Sequence, residues 1–146
     1  MINQFELVNK IKEFVESELP PLLDSKDLPP IKTCSVASDY LNSGIRKPAI
    51  LFYPVERSTE NESVRLVNHK IKICIGCFIN GSSDDKTTKN ISGYMDCLTE
   101  LFLATSSLDG IDDISDLESI DNTTLSTAKE KAFTAFTTIT KNERRS

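Results

Sequence analysis

The chain has 146 residues, 38% of them hydrophobic and 27% charged, which is the size and composition of one ordinary folded domain and not of a disordered segment. Its net charge of −5 argues against broad binding to nucleic-acid backbones, which requires a basic footprint. No apolar run approaches the ~20 residues of a membrane span, and Met1 to Leu7 lacks the basic-then-apolar pattern of a secretory signal, so reduced thiols are expected at Cys34, Cys74, Cys77 and Cys97.

Ile2, Phe5, Val8, Ile11, Val15 and Leu19 recur at spacings of three and four, with Phe14 beside them and polar residues between, which predicts an amphipathic helix. Asn3 is its expected N-cap, and Pro20-Pro21 its expected stop. Residues 22–30 read as a connector, Ile31–Val36 as a short strand, and Ser38–Lys47 as a polar loop around Gly44. Pro48–Glu56 is a near-continuous apolar strand in which Pro54 favours an edge or a strand end. Arg57–Ser63 is turn-like.

In Arg65–Ile79, Val67, His69, Ile71, Ile73, Ile75, Cys77 and Ile79 share one parity, while Asn68, Lys70, Lys72, Cys74 and Gly76 share the other. That alternation predicts a half-buried strand forming a hairpin with the one before it, its second face open or covered by a partner. Asn80–Asn90 reads as a loop. Ile91, Tyr94, Met95, Leu98, Leu101 and Phe102 then mark a second helix, with Gly93 weakening its start and Gly110 as a stop signal. Residues 109–121 are acidic, and their apolar residues fit neither helical nor strand period. Ala128–Lys141 is Thr-rich and predicts a terminal strand; Lys141, Arg144 and Arg145 read as a solvated tail. The order predicts an α+β fold: an antiparallel sheet with the N-terminal helix and a second, central helix packed on one face.

Chemistry is hard to place on this framework. Cys74-Ile-Gly-Cys77 has the spacing of a redox pair or half a zinc site. A redox pair wants a helix N-terminus beside the first thiol, whereas this motif lies within a strand, where residues three apart point to opposite faces. Gly76 could supply a bulge that reunites them. Zinc would need further ligands from Cys34, Cys97 and His69. The preferred reading is two small buried hydrophobes, and for the lone His69 a structural role. Asp109-Gly-Ile-Asp-Asp does not match a calcium loop, so the acidic stretch reads as a solvated loop or an electrostatic contact. Phosphate-cradling, nucleophile-elbow and zinc-protease motifs are absent. No catalytic residue, cofactor or metal site is expected, and the chain reads as a structural component. The alternative is a small thiol-dependent enzyme or metal-binding regulator using Cys74 and Cys77.

In element order the chain resembles the tail-terminator and tail-completion proteins that join tail to head in long-tailed bacteriophages and phage-like particles. The resemblance lies in the helix at Ile2–Leu19, the strand Pro48-Ala-Ile-Leu-Phe-Tyr53, the strand His69-Lys-Ile-Lys-Ile-Cys-Ile75, the Tyr94-Met-Asp-Cys-Leu98 helix and the Thr-rich closing strand at Ala132–Thr140. It implies a virion protein of the tail or neck, assembled in the bacterial host cytoplasm as a ring-forming homo-oligomer, often a hexamer. Its partners would be the tail tube protein and head–tail connector proteins, with no sequence-specific nucleic acid and no membrane. The family has no catalytic residues to carry over. Asp109, Asp112, Asp113, Asp116 and Glu118, with the loops at 38–47, 57–63 and 80–90, are the contact candidates.

Overall fold

Asn3 caps the first helix as its sequence position predicts: its side-chain oxygen accepts from the Glu6 N–H at 3.1 Å. In the computed structural model, which describes residues 2–36, 45–82, 84–121, 127 and 129–144, that helix, α1, runs Gln4–Ser25. It passes through Pro20 and Pro21 instead of stopping there. An interior proline costs a helix about 3 kcal/mol. Continuing buries Leu23 and the Leu28 that follows, each giving about 1.5–3 kcal/mol. The helix ends on a Schellman motif, with Leu28 N–H donating to Leu23 O at 3.0 Å and Asp27 N–H to Asp24 O at 3.2 Å. Asp27 takes the left-handed position, φ 55°, that glycine usually holds. The buried stripe is Leu7, Val8, Ile11, Val15, Leu19 and Leu23. Phe5, expected in it, is 63% exposed, and Leu7 takes the inward place.

The remaining elements are β1 (Thr33–Val36), β2 (Ala49–Asn61), β3 (Leu66–Asn80), α2 (Asp85–Leu103), β4 (Asp113–Ile114), β5 (Glu118–Asp121) and β6 (Glu130–Arg144). The strands form a six-stranded sheet in the order β1-β2-β3-β6-β4, with β5 also paired to β6. Every pair but one is antiparallel, as expected, and the exception is β1, which runs parallel to β2 at one end of the sheet. The fold is α+β.

β2 continues through the segment predicted to turn. A register shift between Pro54 and Glu56 carries the strand past the proline, and pairing with β3 then holds up to Asn61 opposite Val67. Pro54 sits beyond the last β1 partner, Phe52, where among the described residues β2 is paired on the β3 side alone and a missing N–H is tolerated. β6 likewise continues to Arg144, opposite Leu66, so Lys141 and Arg144 belong to a strand and not to a tail; Arg145 lies outside the described residues. The 38–44 part of the predicted polar loop also lies outside them.

α2 begins six residues before the apolar pattern does. Asp84 caps it by accepting from the Thr87 N–H at 2.7 Å, and Thr87 is itself buried. Gly93 lies mid-helix, where a Cβ would stand 2.9 Å from the Leu28 methyls; the glycine lets the end of the α1 connection pack closely. Gly110 does not stop α2, which ends at Leu103. It forms a tight turn at φ 85° inside the Leu108–Ile111 bridge.

Both helices cover one face of the sheet. Ile50, Phe52, Ile71, Ile73, Ile75, Phe133 and Ile139 meet the α1 stripe and Ile91, Tyr94, Leu98, Leu101 and Phe102 of α2. Phe14 meets Phe102 edge-on at 6.1 Å. Tyr94 donates its hydroxyl to Pro29 O at 2.7 Å, tying α2 to the connector after α1. The opposite face, expected to be polar, carries a small buried cluster of Leu51, Phe78 and Ala132 against Ile45.

Candidate functional site

The Cys74–Cys77 motif lies in an unbroken part of the β3 ladder. Cys74 faces Tyr53 and Phe136, Gly76 faces Leu51 and Thr134, and Cys77 faces Ile50 and Phe133, with no register shift on either side. Gly76 is therefore not a bulge, and alternation sends the two thiols to opposite faces. Cys77 joins the helix-side core, while Cys74 is buried on the other face. None of the four cysteines forms a disulfide. Burial pushes the Cys77 and Cys97 thiols upward in pKa. Burial, then the nearby Glu16 carboxylate, takes Cys34 to about 12. These three thiols stay protonated near neutral pH. Burial, with Cys77 and Cys97 close by, likewise raises the Tyr94 hydroxyl.

His69 lies between Thr59 and Lys141 in the ladder. Its Nε2 stands 3.4 Å from a Glu143 carboxylate oxygen, yet neither ring nitrogen makes a hydrogen bond among the described residues. Cys34, Cys97 and His69 do not complete a metal-holding group with Cys74 and Cys77. Among the described residues no three His, Cys, Asp or Glu side chains are arranged to hold a metal ion. No helix there is long and apolar enough to cross a membrane.

The acidic contact candidates gather at one sheet edge. Asp113 belongs to β4 and Glu118 to β5, both paired to β6, and Asp116 lies in the link between them. Asp109, Asp112, Asp113, Asp116 and Glu118 are all exposed. Asp112 is also structural: its carboxylate accepts from the Asn142 N–H at 2.6 Å. The Asp109 carbonyl accepts from Lys10 Nζ at 3.1 Å, which joins this turn to α1.

A second surface includes most of the 57–63 contact candidate, which is an extension of strand β2 up to Asn61 and not a turn. From Val55 to Glu60 every β2 residue is exposed, and among the described residues the strand is paired on the β3 side alone. Glu56, Arg57 and Glu60 lie along it, and Lys70 of β3 reaches Glu60 at 3.1 Å. Strand edges of this length are ready templates for another chain, and charges on them choose which chain is accepted. Val64, in the β2–β3 connection, is 88% exposed.

No protein-family model matches this sequence, and comparison with curated proteins finds no match.

Proposed function

We propose that the chain is a structural subunit that caps the tail tube of a long-tailed phage or phage-like particle and joins it to the head, working as a ring of identical copies. The observation that supports this reading best is the open Val55–Glu60 edge of β2, with the acidic β4–β5 edge at the far side of the same sheet. An edge on each side of one subunit allows head-to-tail contact, and head-to-tail contact closes into a ring when the rotation permits. The work is done by complementary packing. Ladder hydrogen bonds supply affinity, and Glu56, Arg57, Asp113, Asp116 and Glu118 select partner and register.

The test is solution mass, measured for the chain alone and with tail-tube protein, followed by electron microscopy of the mixture. Rings, free or seated on tube ends, are the expected result. A chain that stays monomeric in both settings and never joins a tube would overturn the reading.

A further inference from the structure

Along its open flank α1 faces β1 across an apolar groove of about 160 Å³, floored by Ile50 and walled by Val15, Leu19, Leu23, Ile31 and Cys34. β1 is the last strand of the sheet, and among the described residues nothing pairs with its outer edge. The Thr33 N–H donates to Pro48 O, so Thr33 and Ser35 direct their backbone groups to β2. By alternation, Cys34 and Val36 direct theirs outward. The same two residues pack their side chains against the helix-side core. A strand added at this edge would lie about 4.8 Å beyond β1 and place every second side chain over the groove.

The rim of the groove favours hydrogen-bond donors. Pro20 lines it and has no N–H, which deprives the Glu16 carbonyl of its intrahelical donor. The Glu16 and Asp24 carboxylates stand on the same helix side, with Glu16 held only loosely by Lys12 at 3.8 Å. Lys32 is the one base among the described lining residues. Acceptors therefore outnumber donors around an apolar floor.

The geometry points to a docking site for an extended segment of another protein, added as a strand to the β1 edge, with an aliphatic side chain in the groove and a basic side chain two residues away on the Glu16–Asp24 rim. Two residues is the spacing that keeps both side chains on the helix face. The inference goes beyond the tail-assembly reading and does not rest on it.

The probe is a fluorescein-labelled, acetylated heptapeptide, Thr-Val-Thr-Arg-Thr-Val-Thr, titrated with the full chain while anisotropy is followed. The same peptide with Glu in place of Arg is the control. The Arg peptide binds, and the Glu peptide binds about tenfold more weakly, the effect of roughly 1.4 kcal/mol. The double variant Glu16→Lys/Asp24→Lys, both on the exposed side of α1 and checked for folding by circular dichroism, reverses that order. Amide exchange followed by NMR supplies a second reading: Cys34 and Val36 exchange quickly in the free chain and slow down with the Arg peptide, while Thr33 and Ser35 are protected in both. Absence of binding at millimolar peptide, or equal binding by the original chain and the double variant, overturns the inference. So does a concentration-dependent dimer in which Cys34 and Val36 are protected without peptide, because a second copy then occupies the edge.

Discussion

Exposing the folded chain to a thiol oxidant tests the placement of Cys74 and Cys77 directly. Three residues of strand at about 3.3 Å each set their α-carbons about 10 Å apart, whereas a disulfide needs them within roughly 7 Å. Opposite-face orientation adds to the mismatch, and Cys77 has no solvent exposure. A Cys74–Cys77 bond would require β3 to break at Gly76, between its Leu51 and Thr134 partners. Diamide treatment of the native chain, followed by maleimide trapping and mass spectrometry, should therefore find no such bond. The same treatment in urea, where the short Cys-x-x-Cys loop is free to close, should produce it. Formation in the native chain at the urea rate, with the far-ultraviolet spectrum unchanged, would refute the strand placement and revive a thiol-based activity. A companion measurement follows from burial: Cys77→Ser puts a hydroxyl into the helix-side core and should cost about 1–3 kcal/mol if it finds no partner, read from urea unfolding.

Four other outcomes are expected. Asp27→Gly relieves the left-handed position that ends α1 and should stabilise the chain by about 0.5–1 kcal/mol in urea unfolding. Gly93→Leu must displace Leu28 and should lower the urea midpoint by an amount equivalent to about 1–3 kcal/mol. Tyr94→Phe removes the hydroxyl that donates to Pro29 O and should cost about 1 kcal/mol, measured in the same way. The Thr87 N–H holds the Asp84 carboxyl below the usual aspartate range. Its contribution is therefore complete above the unfolded-state aspartate pKa and is lost as pH falls through the folded value. Asp84→Asn, which caps without titrating, should flatten that part of the acid limb in a plot of urea midpoint against pH.

Long, regular patterns are legible in the sequence. The Val67–Ile79 alternation and the Val8–Leu19 stripe encode their own burial, because period 2 and period 3.6 each put the apolar set on one side. The Asn3 cap is equally local. What was misread is where local and tertiary preferences disagree. Pro20-Pro21 looks like a stop, and Schellman closure with burial of Leu23 and Leu28 outweighs it. Residues 57–61 look like a turn, and the β3 ladder extends them. The first turn of α2 carries almost no apolar signal, and its evidence is the Asp84 cap.

The contact surfaces divide in the same way. The acidic run at 109–121 was visible as charge, but its assignment to a sheet edge depends on β4 and β5 pairing with β6. Composition and period by themselves determined the fold class, both helices, the hairpin and the opposed faces of Cys74 and Cys77, since each rests on repeats of a few residues. Only the tertiary structure decided which strands became edges, that β1 joined β2 in parallel, and that α1 and β1 enclose a groove. Those features are contacts between residues far apart in the chain, and no local periodicity encodes them.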